Sequence, residues 1–210
     1  MADRPAGILR AFACPHGRTG RVVGGLLAIF NAKLNRDAVQ RLRLGPGDRV
    51  LEIGFGPGVG LREIAARVTA GKVAGIDPSE VMLRQASRRN RRMLDSGRFE
   101  LVLGSASDLP WPDASFDAAL SLNNVLLWDP VDRGLLEVRR VLRPGGLVLL
   151  GMRELAARAE SPAGAGTLLQ VARTLSELLG RVGFEDIRAE EIRAGLGRAL
   201  LLSARRSRAS

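Results

Sequence analysis

Apolar and polar residues change rhythm once along this chain, near residue 45. Before that point Leu26, Leu27, Phe30, Leu34, Val39 and Leu42 recur at uneven helical spacings, so residues 21–44 are expected to be helical. Further upstream Pro5, Gly7, Pro15, Gly17 and Gly20 interrupt every pattern, and residues 1–20 read as an irregular arm. Gly45-Pro46-Gly47-Asp48 then punctuates the chain, and short apolar runs begin to alternate with amphipathic stretches. Arg49 to Ile53 reads as a strand, and Leu61 to Val68 as a helix with Leu61, Ile64, Ala65 and Val68 on one stripe. Lys72 to Ile76 is a second strand. Pro78 suits the first turn of a helix running to about Leu94.

The alternation continues with a strand from Phe99 to Leu103, a proline-bearing loop from Ser107 to Ala114, and a strand from Phe116 to Leu122. Asp129-Pro130 supplies an N-cap and a first-turn proline for a helix to Leu142. Pro144-Gly145-Gly146 breaks that helix, and Leu147 to Leu150 forms a fifth, wholly apolar strand. Beyond a link at 161–166, a helix at 167–182 leads to Phe184–Ile192 and Arg198–Ala204, joined around Gly195 and Gly197 like a hairpin. Strands alternating with helices imply a parallel sheet buried on both faces. The expected fold class is α/β, a seven-stranded sheet, mostly parallel, with an antiparallel C-terminal hairpin and helices on both faces.

Length and composition narrow this picture. A chain of 210 residues with 46% hydrophobic and 26% charged residues has the makings of one ordinary globular core. The single cysteine, Cys14, cannot pair within the chain, which excludes a disulfide scaffold and points to a reducing, cytoplasmic setting. No apolar run approaches the roughly 20 residues that span a bilayer, and residues 1–20 lack the apolar block of a secretory signal. The segment Val22 to Phe30, flanked by Arg18, Arg21 and Lys33, reads as a lid helix packed on the core. Peripheral membrane contact through 18–33 is the competing reading.

The formal net charge is +10, yet Lys33 and Lys72 are the only lysines. Such an arginine skew fits the codon bias of a GC-rich bacterial genome and would load every surface alike. Arg84, Arg88, Arg89, Arg91 and Arg92, and the tail Arg205, Arg206 and Arg208, have no aromatic residue among them, so the stacking platform of a single-strand binder is missing. A solvated helix face is the simpler account, and nucleic acid is not the expected partner.

The chemistry concentrates after the first strand. Residues 50–60 read VLEIGFGPGVG: a strand, four glycines, then a helix. A dinucleotide fingerprint, G-x-G-x-x-G, fails in both registers, because Val59 and Leu61 stand where its third glycine belongs. The pattern E-x-G-x-G-x-G is met in full by Glu52, Gly54, Gly56 and Gly58. Asp77 follows at the end of the second strand, where a carboxylate can accept both ribose hydroxyls of a nucleoside laid across the strand ends.

With VLEIGFGPG, GIDPSEVML, LPWPDASFDAALS and EVRRVLRPGGLVLLG in place, the chain resembles the class I S-adenosylmethionine-dependent methyltransferases, in particular the group containing ubiquinone and menaquinone methylases. The resemblance is strong from about Asp48 to Leu150 and looser to Ala204, and it implies a Rossmann-like sheet. It divides the chain into an N-terminal arm with lid helices, 1–44, and a methyltransferase domain, 45–210. It also implies S-adenosyl-L-methionine as cofactor, with Gly54, Gly56 and Gly58 around its methionine end and Glu52 orienting that loop. Asp77 would hold the ribose hydroxyls, Ser79 and Met82 would pack near ribose and adenine, and Ser105 and Ala106 would border the adenine edge. Asn123 would lie beside the transferable methyl group. Many relatives carry aspartate where Ser105 stands; a serine hydroxyl accepts the adenine amino proton without charge, which implies weaker binding, and Asp108 is an alternative acceptor.

Methyl transfer is an in-line displacement that needs a base only when the acceptor must lose a proton. His16, the one histidine, is the candidate for that base, although a lone loop histidine is more often incidental. Cys14 and His16 offer two metal ligands with nothing to complete a set, so no metal is expected. Cytosine carbon-5 chemistry needs a core cysteine, and exocyclic-amine methylation needs an Asn/Asp-Pro-Pro-aromatic box; Ser121-Leu122-Asn123-Asn124 supplies neither. What remains is a small organic or isoprenoid/lipid-like acceptor, methylated by a monomer or homodimer. Asn124 and Trp128 are candidate substrate contacts, Trp128 equally a cap on the helix at Asp129. The competing readings are an RNA methyltransferase using the arginine clusters and a cofactor-binding but inactive partner subunit.

Overall fold

A computed structural model describes residues 31–154, 167–195 and 197–208. Residues 31–41 are helical (α1). After them come β1 (Arg49–Ile53), α2 (Val59–Ala65), β2 (Lys72–Asp77), α3 (Glu80–Arg89), α4 (Arg91–Asp95) and β3 (Phe99–Leu103). The second half holds β4 (Phe116–Leu122), a short 3-10 turn at Val125–Leu127, α5 (Val131–Val141), β5 (Leu142–Arg153), α6 (Leu168–Arg181), β6 (Phe184–Ala194) and β7 (Gly197–Arg206). The seven strands lie in the order β3-β2-β1-β4-β5-β7-β6. β1 to β5 pair in parallel, and β7 runs antiparallel to both β5 and β6. This is the doubly covered sheet with a terminal hairpin that the alternation implied.

Period-two alternation divides the strands between two cores. Leu51, Ile53, Ile76, Leu150 and Met152 face a cluster completed by Leu135 and Val138 of α5 and Leu175 of α6. Val50, Val73, Leu120 and Leu149 face the other cluster, with Leu34 and Val39 of α1, Leu61 and Ile64 of α2, and Met82 and Ala86 of α3. The described part of the 1–44 arm is therefore bound into the same core as the strands that follow it. A capping box starts α6: Thr167 Oγ1 accepts from the Gln170 amide at 3.2 Å, and Gln170 Oε1 accepts from the Thr167 amide at 2.9 Å.

Local details depart from the sequence reading. The helix expected from Pro78 to Leu94 begins after Ser79, its N-cap, and breaks at Asn90 into α3 and α4. The cap before α5 is Pro130 rather than Asp129, and the helix starts at Val131. Pro144-Gly145-Gly146, read as the break between helix and strand, lies inside the strand: β5 starts at Leu142 rather than Leu147, Leu142 pairs with Phe116, and the register shifts before Ala118 meets Leu147. Gly145, at φ 78, absorbs that irregularity. Among the described residues no helix is long and apolar enough to cross a membrane.

Candidate functional site

In an open parallel sheet the ligand crevice forms at the carboxyl ends of the strands where the strand order reverses, here between β1 and β4. The glycine turn after β1 opens that crevice. It is anchored by the Gly54 amide, which donates to the Ile76 carbonyl at 2.7 Å. Gly54, Gly56 and Gly58 all take left-handed φ values, of 70, 52 and 80. Their surroundings differ. A Cβ on Gly54 would stand 2.0 Å from Asn124 Nδ2, and one on Gly58 would stand 2.6 Å from Asn90 Nδ2 and 2.9 Å from Ala86 Cβ. Among the described residues a Cβ on Gly56 would meet nothing within 4 Å. Two of the glycines are fixed by neighbouring protein, while the middle one faces open space.

Asp77, at the tip of β2, holds the turn from the other side. Its Oδ2 accepts from the Gly56 amide at 2.8 Å and its Oδ1 from the Ser79 amide at 2.9 Å. Burial raises its pKa above the usual aspartate value, and these two N–H donors pull against that rise. Each carboxylate oxygen still has acceptor capacity to spare. Ser79 caps α3 by accepting from the Met82 amide at 3.4 Å, and both side chains are buried.

Glu52 sits two residues before the turn, wholly buried, and its Oε2 has no hydrogen-bond partner among the described residues. Burial, and after it the neighbouring Asp77, pushes its carboxyl up to about 8. A Cβ on Gly60 would come within 2.1 Å of Glu52 Oε1 and 2.6 Å of Asn35 Oδ1, so the fourth glycine of the run makes room for a carboxyl and a carboxamide to converge.

At the end of β4, Asn123 takes φ 60, a left-handed conformation that asparagine tolerates. Its Oδ1 accepts from the Arg153 amide at 2.8 Å, and its Nδ2 donates to Asn31 Oδ1 of α1 at 3.2 Å. Asn124 is turned inward: Nδ2 donates to the Ile53 and Gly54 carbonyls at 3.0 and 3.2 Å, and Oδ1 accepts from Ser121 Oγ and Trp128 Nε1. Trp128 is buried, with its ring edge where a Gly134 side chain would begin. Asn124 and Trp128, read from the sequence as substrate contacts, thus form a clip that ties β4 to the glycine turn. Ser105 is exposed after β3 and caps its own turn by accepting from the Ser107 amide at 3.2 Å, while Ala106 is buried.

The described residues bring Glu52, the three glycines, Asp77, Ser79 and Asn123 to one end of the sheet. His16, Cys14 and the segment 22–30 lie outside them. Among the described residues no group of three or more His, Cys, Asp or Glu is placed to hold a metal. Sequence reasoning missed Asn31, Asn35 and Asn90. The i,i+4 spacing of Asn31 and Asn35 on an otherwise apolar helix face was the one signal for the first two. Nothing local marked Asn90, whose Nδ2 donates to the Gly58 and Ala86 carbonyls at 3.1 and 3.0 Å.

A family model described as a methyltransferase domain matches residues 50–146. The chain is 32% identical over 166 residues to YdaC of Bacillus subtilis, named an uncharacterized methyltransferase, covering 79% of this chain and 87% of that one. The chain belongs to the S-adenosylmethionine-dependent methyltransferases. The methyltransferase is also 37% identical over 118 residues to a demethylmenaquinone methyltransferase of Symbiobacterium thermophilum, a match spanning 54% of this chain and 46% of that relative's length. Its fold is shared with a methyltransferase from Aquifex aeolicus solved by crystallography, at a TM-score of 0.66 and 20% identity over 86% of this chain and 92% of the other.

S-adenosylmethionine is the cofactor of this methyltransferase, and the residues present fit it. Among the described residues the space over Gly56 is open, Asp77 retains acceptor capacity at the crevice rim, and a buried carboxyl oxygen lacks a donor beside the turn. The arginines of α3 and α4 are partly spent on their own helix faces, as Arg84 pairs with Glu80 and Arg91 with Asp95. A surface cleft of about 180 Å³, lined by Arg43, Leu147, Asp186, Arg188, Ser203 and Arg205, lies toward the opposite ends of the parallel strands and is unrelated to the glycine turn.

Proposed function

We propose that this methyltransferase alkylates oxygen or carbon of a small organic or isoprenoid/lipid-like acceptor, with Asn123 as the residue that positions the reacting centre. The observation that carries this reading is that, among the described residues, the groups hydrogen-bonded to the Asn123 side chain at the end of β4 are a carboxamide and a backbone amide. Asn123 is met there by the Asn31 carboxamide and the Arg153 amide, and Leu127 is 43% exposed three residues after Asn124. Such surroundings suit a neutral, partly apolar molecule, and the likeness to a demethylmenaquinone methyltransferase points the same way.

The bound cofactor supplies a methyl group already activated by its positive sulfur. The chain's work is then binding, alignment and exclusion of water, and orientation alone can be worth roughly 7–11 kcal/mol. Gly54, Gly56 and Gly58 shape the turn around the methionine end, Asp77 accepts the ribose hydroxyls, Ser79 and Met82 support that side, and Ser105 and Ala106 border the adenine. Glu52 orients the turn from the end of β1. The reducing setting inferred from the lone Cys14 supports a cytoplasmic enzyme. The test is an untargeted screen with methyl-labelled cofactor against metabolite, lipid and RNA extracts. Label is expected in an organic-extractable small molecule; label in RNA alone, or nowhere, would overturn the reading.

A further inference from the structure

Glu52 presents a charge problem that the apoprotein must solve internally. A buried carboxylate without donors is costly enough that such groups neutralise instead. Asp77, the charged neighbour acting on Glu52 among the described residues, holds two backbone N–H donors and can remain ionised. Glu52 Oε2 has none, and Oε1 converges with Asn35 Oδ1 over Gly60. An acceptor oxygen on the same side of Gly60 favours the protonated carboxyl, which can donate, over the carboxylate, which cannot. Among the described residues the other neighbours at this point, Asn35 of α1 and Gly60 of α2, carry no charge of their own.

We propose that the empty protein stores a proton on Glu52, held toward Asn35, and that the ammonium group of the incoming cofactor expels this proton to solvent. The inference rests on the cofactor assignment and adds a proton exchange to it. The balance is simple. The ammonium brings one positive charge, Glu52 becomes a carboxylate, and one proton leaves for the buffer. Asn35 is a positioning residue here, since its Oδ1 and Glu52 Oε1 both stand over Gly60. Binding is thereby coupled to pH: the affinity rises about tenfold per pH unit while the empty site remains protonated.

The experiment is calorimetric titration of the full chain with S-adenosylhomocysteine, which keeps the ammonium, at pH 7 in phosphate and in Tris. The difference in apparent enthalpy between the two buffers reads the protons released. About one is expected for the native protein and about none for Glu52→Gln, which preserves the shape and removes the proton. In parallel, the native dissociation constant is expected to fall by about an order of magnitude between pH 6 and pH 7. Equal enthalpies in both buffers, a release that persists in Glu52→Gln, or a flat pH profile would overturn the proposal while leaving the cofactor assignment intact. Loss of all binding heat in the native protein would instead remove the cofactor assignment and this inference together.

Discussion

Three glycines with the same left-handed backbone do different work in this methyltransferase, and substitution should separate them. At Gly58 a methyl group collides with Asn90 and Ala86, so Gly58→Ala should cost about 2–4 kcal/mol of stability from overpacking and φ strain, read by chemical denaturation. At Gly56 the methyl has room, so Gly56→Ala should cost only about 1–2 kcal/mol of backbone strain. Its larger effect should be a cofactor affinity lowered at least tenfold, because the methyl enters the space the ligand needs. Equal affinity in Gly56→Ala and the native protein would show that the open space is not the ligand's. Asp77→Ala removes the ribose acceptor together with the anchor on the Gly56 and Ser79 amides. With charged hydrogen bonds worth about 1.5–3 kcal/mol each, calorimetry should show affinity reduced by about 100-fold or more.

Elements transmit these residue effects because two asparagines clip them together. Asn124 joins the end of β4 to the turn after β1, and Asn90 joins the α3–α4 break to the same turn. Asn90→Ala strands the Gly58 and Ala86 carbonyls in a buried setting and should cost about 1–3 kcal/mol in a denaturation experiment. It should also weaken cofactor binding, since the turn loses a tether. Thr167→Ala, far along the chain, breaks the capping box of α6 and should cost about 1 kcal/mol with cofactor affinity unchanged. The contrast distinguishes an element that shapes the site from one that only covers the sheet. Neither asparagine was legible as a clip, because the turn residue each one holds lies 32 or 70 residues away in sequence.

For the molecule as a whole, the buried acid sets a pH trend. Glu52 is raised from 4.5 to about 8 in the fold, so the native state keeps a proton that the unfolded chain has lost between those values. Stability therefore falls as pH rises through that window and levels off above it. Thermal melts of the cofactor-free protein at pH 5.5 and pH 8 should show the decline, and Glu52→Gln should flatten it. An unchanged slope in the variant would mean that Glu52 does not titrate there. The strand–helix alternation, the glycine turn and the carboxylate at the second strand tip were fixed by sequence alone, because periodicity and left-handed turns act on neighbours along the chain. The tertiary structure decided which glycine is left open, that Asn124 and Trp128 turn inward, that α3 breaks at Asn90, and that Asn35 and Glu52 both approach Gly60. Those outcomes depend on packing between residues distant in sequence, where space and the loss of water, rather than local conformation, select the arrangement.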